Sequence, residues 1–344
     1  MSEQQIQKVR VKRLAHVGLW ATDVASQTRF YRQVLGFNLR ATEIKPSGED
    51  VEFENANTFL ALGDEYHCLG LFNDTRSTLR GSHTAPQTAI QSTGLLPPTP
   101  DANGRGPVQN THLHHIAFEV DTDAELAALA ARLNRSGVEL ELQPRDGNPE
   151  IGDTLWFDDP DGNRIEISAT SDDSLILPPA SSEGRRTRLR PHALQHLALR
   201  TVHLEAMVNF YTEALGFDIS DWLLRECVWL RCSSDHHTIV ILQGKQDIDH
   251  IGYSIPAGAE LLAWADYLSR QQTPILWGPG RHGAGSDLFL RFADAEGVHI
   301  ELSAELQQYY DRDVTTPPRL WHSRLTALNV WGVMPGWARE EVRV

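Results

Sequence analysis

Thiols are scarce in this chain. Only Cys68, Cys227 and Cys232 occur in 344 residues, an odd number without metal-type spacing, which excludes a disulfide framework. Positive charge is scarce as well. Thirty-one Lys and Arg stand against 46 Asp and Glu, a formal net charge of -15, which argues against nucleic acid or an anionic membrane as partner. No stretch approaches the ~20 consecutive apolar residues that a spanning helix needs. The first residues, Met1 to Arg13, lack the apolar run of a signal peptide. These absences lead to the expectation of a cytoplasmic protein. Hydrophobic residues at 41% and charged residues at 22% are those of an ordinary globular chain, long enough for two domains. Histidine is plentiful, with fifteen in all.

The chain repeats itself. Leu14–Leu19 (LAHVGL) and Phe30–Phe37 (FYRQVLGF) recur as Leu194–Leu199 (LQHLAL) and Phe210–Phe217 (FYTEALGF), at a constant offset of 180. A second pair follows. His115 precedes Glu166 by 51 residues and His250 precedes Glu301 by the same 51, now at an offset of 135. The drop of 45 places extra chain in the first half, at about residues 73–110, a stretch rich in Ser, Thr, Gly and Pro that reads as an inserted loop.

Each repeat opens with a period-2 apolar run, a strand. A helical pattern follows, over Val24–Leu35, Ala124–Leu133, Leu204–Leu215 and Glu260–Leu268. Gly36 and Gly216 stand where helix C-caps belong. Short strands come next, the last entered through a turn such as Asp159–Gly162 (DPDG). The pattern predicts an α+β fold of four βαβββ modules, two per domain. The expected boundaries are an N-terminal domain over 1–172, a linker over 173–190, a C-terminal domain over 191–304 and a tail over 305–344.

Strand parity gives the chemistry its first form. His196, His250 and Glu301 each lie on the polar face of an otherwise apolar strand, beside small residues such as Ala198 and Gly252 that leave room for a guest. Two imidazoles and one carboxylate form the facial donor set of non-heme Fe(II) oxygenases, which leaves positions for a chelating diol and for O₂.

These residues carry a family resemblance. Gly278–Gly283 (GPGRHG), continuing to Asp294–Glu301 (DAEGVHIE), resembles the signature of extradiol ring-cleavage dioxygenases of the vicinal-oxygen-chelate superfamily, in particular the homoprotocatechuate 2,3-dioxygenase branch. Trp331–Trp337 (WGVMPGW) is similar to the C-terminal lid segment of that branch. The resemblance spans nearly the whole chain and is strong over 191–337. It implies two glyoxalase/dihydroxybiphenyl-dioxygenase-like domains, Fe(II) with Mn(II) as the alternative ion, a small aromatic diol and O₂ as substrates, and a homo-oligomer. It further implies that His196, His250 and Glu301 are metal ligands, that His237 is an acid-base residue, that His282 hydrogen-bonds substrate, and that Trp229 lines the pocket.

Three departures stand out. Arg291 replaces a family tyrosine, Ala295 replaces the usual turn proline, and Trp277, Ala327 and Leu328 occupy positions that bind a substrate carboxylate in the branch. The implied substrate is therefore a lipophilic catechol, with Trp277 in its pocket and Arg291 beside the metal. His16, His115 and Glu166 form a second triad, with His67 at the place of His237. The resemblance makes the first half a vestigial duplicate and catalysis a property of the second, with a two-iron protein or a first-half site as the alternative. Two other readings suit the same scaffold: a metal-dependent lyase or isomerase of the glyoxalase or epimerase type, and a non-enzymatic small-molecule binder.

Overall fold

The computed structural model describes residues 9–42, 57–63, 67–74, 112–144, 153–170, 189–311, 314 and 316–339. The expected insert lies outside these residues apart from Asn73 and Asp74, and the expected linker apart from Leu189 and Arg190.

The first module is β1 (Arg13–Ala21), α1 (Val24–Gln33), β2 (Asn38–Thr42), β3 (Thr58–Ala61) and β4 (Leu69–Asn73). The second is β5 (Leu113–Val120), α2 (Asp123–Arg135), β6 (Glu141–Pro144), β7 (Asp153–Asp158) and β8 (Arg164–Ala169). In the third, β9 (Ala193–Thr201) leads to α3 (Leu204–Asn209), which widens into a π turn over Phe210–Ala214 before β10 (Asp218–Leu223), β11 (Cys227–Arg231) and β12 (Ile239–Gln243). The fourth is β13 (Asp247–Ser254), α4 (Glu260–Arg270), β14 (Ile275–Arg281), β15 (Leu288–Ala293) and β16 (His299–Ala304). All four are βαβββ. Gly36 (φ 74°) and Gly216 (φ 78°) end the first and third helices in the left-handed region that glycine favours.

Modules pair through their first strands. One sheet runs β2-β3-β4-β1-β5-β8-β7-β6 and the other β14-β15-β16-β13-β9-β12-β11-β10-β17, where β17 (Arg319–Trp321) adds an edge strand from the tail. The antiparallel pairs β1/β5 and β9/β13 form the two centres. Apolar residues from both sheets and from the helices between them make one continuous core that includes Tyr31, Phe118, Tyr211 and Tyr253. Burying such a side chain stabilises the fold by roughly 1.5–3 kcal/mol.

The two halves grip each other by the same device used twice. The Tyr31 hydroxyl donates to Asp294 at 3.0 Å, and the Tyr211 hydroxyl donates to Asp159 at 3.3 Å. Each pair joins the first helix of one half to the last turn of the other. Burial raises both carboxyls, and Asp159 reaches about 7.

No helix among the described residues is long and apolar enough to cross a membrane. Cys68, Cys227 and Cys232 are buried and form no disulfide.

Candidate metal centre

Register places the site. Trp277 on β14 opposes Arg291 on β15, Arg291 opposes Glu301 on β16, Glu301 lies beside Gly252 on β13, and Gly252 opposes His196 on β9. His250 on β13 sits across from Ala198 on β9. Residues in such a row share one face of the sheet. His196 Nε2 is therefore 3.0 Å from His250 Nε2 and 3.5 Å from Glu301 Oε1, and His250 Nε2 is 3.8 Å from Glu301 Oε2. All three residues are buried.

Gly252 makes this possible in a way the sequence did not suggest. A Cβ there would lie 2.1 Å from the His196 ring. The missing side chain houses the imidazole and leaves no room for a guest. Ala198 likewise packs into the apolar cluster with Trp229 and Val240.

The protonation states suit a cation. Burial pushes His196 down to about 3, against the pull of Glu301, and lowers His250 too, with Arg291 adding to the effect. Both rings are neutral near pH 7, the form that ligates metal. His196 Nδ1–H donates to Gln195 Oε1 at 3.2 Å and His250 Nδ1–H donates to Asp249 Oδ1 at 2.6 Å, which directs each Nε2 lone pair inward. Burial raises the Glu301 carboxyl, but the Arg291 guanidinium outweighs it and, with His250 and His282, holds the group well below the usual carboxylate range.

Arg291 is anchored on three sides. Its Nε donates to Glu301 Oε2, its Nη1 donates to Asp249 Oδ1 at 3.2 Å, and its Nη2 lies 3.2 Å from His250 Nε2. Trp277 lies under the guanidinium at 5.1 Å. Arg200 pairs with the other oxygen of Asp249.

His282 follows β14. Its Nδ1–H donates to the Leu328 carbonyl at 2.5 Å, its ring stacks on Phe289 at 3.9 Å, and its Nε2 faces Glu301 Oε2 at 3.4 Å. Burial lowers its pKa, while Asp287 and Glu301 overcome this and raise it. His237 precedes β12, with its ring 4.5 Å from that of His196. Its Nδ1 is 3.0 Å from His236 Nδ1, and His236 Nε2 is 3.2 Å from Asp221. Where Asp221 accepts from His236 Nε2–H, His236 Nδ1 becomes an acceptor, His237 donates into it, and His237 Nε2 keeps its lone pair.

One cavity connects these groups. His237, His250, His282, Arg291 and Glu301 line it together with Arg200, Glu226 and Asp249 and with the apolar Leu223, Trp229, Val240, Leu242, Trp277 and Leu328. Arg324 also lines it, paired with Glu226. The tail closes part of it. Ala327 accepts backbone hydrogen bonds from Gly283 and Ala284, and Met334 packs with Trp277 and Phe289.

Seven of the eight residues singled out from the sequence thus line one cavity, and the eighth, His196, is fully buried against His250 and Glu301. Asp249, Gln195, Asp221 and His236 were missed. Their only signal was adjacency to a candidate histidine, or pairing across a strand that the sequence does not reveal.

The first half repeats the row. Trp156 on β7 opposes Glu166 on β8, Glu166 lies beside Ala117 on β5, and Ala117 opposes His16 on β1. His16 Nε2 and His115 Nε2 are 2.7 Å apart, and each lies 3.4 Å from Glu166 Oε2.

Comparisons with known proteins agree with this layout. The family model described as Glyoxalase/Bleomycin resistance protein/Dioxygenase superfamily matches residues 13–167 and 193–302. Metapyrocatechase 2 of Cupriavidus necator is 28% identical over 214 residues, 58% of this chain and 66% of its own, so the match spans just under two thirds of that relative. An iron-dependent extradiol dioxygenase of Rhodococcus jostii is 25% identical over 253 residues, 66% of this chain and 79% of its own. Among solved structures, homoprotocatechuate 2,3-dioxygenase of Arthrobacter globiformis superposes with TM-score 0.68 at 20% identity, over 96% of this chain and 92% of its own. A Mn(II)-bound glyoxalase of Novosphingobium aromaticivorans does so with TM-score 0.67 at 24% identity, over 94% and 91%. At these identities the structural likeness is one of fold.

Proposed function

Because the chain belongs to the Glyoxalase/Bleomycin resistance protein/Dioxygenase superfamily, we propose that it is an extradiol dioxygenase that opens the ring of a lipophilic catechol with O₂. The observation that carries the reading is the convergence of His196, His250 and Glu301, the last two of which line a cavity together with apolar side chains such as Trp229, Val240 and Trp277. The donor set fits a divalent iron, with Mn(II) as the alternative: two neutral imidazoles and one carboxylate. Such an ion supplies chelation of a vicinal diol and activation of O₂.

The chain's own residues do the rest. Arg291 and His282 both hold Glu301 Oε2, so the carboxylate offers Oε1 toward His196. Arg291 also balances the buried negative charge of Asp249 and Glu301, with Arg200 on the other oxygen of Asp249. His237, with Nε2 as acceptor, takes the diol proton and returns it to the opened product. His282 is fixed by the Leu328 carbonyl and presents its other nitrogen beside the carboxylate. Trp229, Trp277 and Leu328 exclude water from the ring. The pocket guanidiniums are paired, Arg200 with Asp249 and Arg324 with Glu226, which disfavours a substrate with a carboxylate arm.

The test is oxygen uptake by the Fe(II)-loaded protein across a panel of catechols. The reading predicts uptake with a yellow ring-opened product, faster for alkyl- or aryl-substituted catechols than for carboxylated ones. Iron-loaded protein that consumes no O₂ with any of them would overturn it, and would favour proton-transfer chemistry of the glyoxalase kind.

A further inference from the structure

The first half contains a donor set that the proposed reaction does not use. His16, His115 and Glu166 come from three different strands, all are buried, and their ligand atoms converge. The triangle of Nε2, Nε2 and Oε2 has edges of 2.7, 3.4 and 3.4 Å, whereas in the second half the Nε2 atoms are 3.0 Å apart and Glu301 meets them through different oxygens, Oε1 at 3.5 Å from His196 and Oε2 at 3.8 Å from His250. Donors about 2.1 Å from a common ion and at right angles sit about 3 Å apart, so the first triangle is at least as well shaped for a cation.

The hydrogen-bond inventory points the same way. Two imidazole Nε2 atoms face each other across 2.7 Å with a carboxylate oxygen beside both. Each neutral ring carries a single N–H, so the two rings satisfy at most two of the three contacts, whereas one divalent cation satisfies all three lone pairs together. The sheet has also been cleared for the ligand. A Cβ on Gly18 would lie 2.3 Å from His115 Nδ1, so this glycine houses the ring as Gly252 houses His196. His115 is held from behind by His114, with their Nδ1 atoms 2.7 Å apart. His67 lies over His16 at 4.1 Å between ring centroids.

Charge separates the halves. Trp156 stands in the row position that Arg291 holds. Among the described residues Glu166 is paired with His16 and His115 and with no arginine. Arg164 lies over the Trp156 ring instead, where it pairs with Glu141 and Asp158.

We propose that His16, His115 and Glu166 bind a second divalent first-row metal ion, held more tightly than the ion of the second half because, among the described residues, no arginine pairs with its carboxylate as Arg291 does with Glu301. The class of ion is one that accepts imidazole and carboxylate together, such as Fe(II), Mn(II) or Zn(II).

The experiment is a metal count on the full chain. The protein is saturated anaerobically with Fe(II), desalted, and assayed by inductively coupled plasma mass spectrometry. Two ions per chain are expected in the wild type, one in His196→Ala, one in His16→Ala and none in the double variant. Stepwise chelation of the wild type should release one ion before the other, and the later one should be absent from His16→Ala. The deciding sample is His196→Ala, because it leaves the first triad untouched. No ion in that variant overturns the proposal, even where His16→Ala fails to fold, and so does an ion that survives in the double variant. Loss of oxygenase activity has no bearing on these counts, so failure of the proposed reaction and failure of this site remain distinguishable.

Discussion

Set side by side, the halves of this molecule are the same frame carrying different charge. Both present a row of small, acidic and imidazole side chains across their central strands, Glu166–Ala117–His16 in one and Glu301–Gly252–His196 in the other. They part at two places. Arg291 replaces Trp156 at the end of the row, and Asp249 replaces His114 before the second histidine. The second-half site is therefore an ionic network in which Asp249 and Glu301 both contact Arg291. The first-half site is a carboxylate among aromatic rings. Duplication preserves backbone register, and hence where ligands fall. One side chain per row decides the electrostatics around them.

The largest expected contrast is catalytic. Glu301→Ala should reduce ring cleavage by about a thousandfold or more, or roughly 4 kcal/mol of transition-state stabilisation, with loss of the second-half ion. A residual rate near wild type would mean the chemistry lies elsewhere. His237→Gln should keep the iron yet slow turnover by about a hundredfold, the usual worth of a positioned acid-base group. Iron content and kcat measured on one preparation separate the two effects.

The row exchange sharpens the comparison further. Arg291→Trp should tighten metal binding in the second half and Trp156→Arg should weaken it in the first, each by about 10- to 100-fold, the range for groups that orient ligands. Competition with a coloured chelator reads both. Shifts of equal sign would show that the guanidinium is not what distinguishes the sites.

The smallest effects concern the contacts the halves share. Tyr31→Phe and Tyr211→Phe each remove one buried hydrogen bond and should cost about 1 kcal/mol apiece, as measured by urea unfolding. The folded-state pKa of Asp159 is raised to about 7. Its contribution to stability is full below its unfolded value, near 4, and is lost as pH rises toward 7, on the order of 1 kcal/mol per unit. Asp159→Asn should flatten that part of the pH–stability curve. An unchanged slope would place the titration on another group.

Much of this was legible in the sequence because the repeat offsets carry register. Equal spacing of 51 residues from His115 to Glu166 and from His250 to Glu301 can be kept only if strand pairing is kept, and the observed βαβββ modules follow. The helices ran close to expectation, although Phe210–Ala214 winds as a π turn where a continuous α-helix was read. Gly252 was misread because a vacant Cβ position looks the same in sequence whether a substrate or a neighbouring ring fills it. The roles of Asp249 and Asp221 were hidden for a related reason. A charged residue beside a histidine is common, and only the fold shows which proton it holds.

The measurement closest to the central claim is an oxygen-electrode trace of Fe(II)-loaded wild type beside Fe(II)-loaded His196→Ala, each given the same alkylcatechol. Uptake of one O₂ per diol with a growing yellow absorbance in the first, and a flat trace in the second, is the predicted result. Equal uptake by both would contradict the assignment of ring cleavage to the second-half triad.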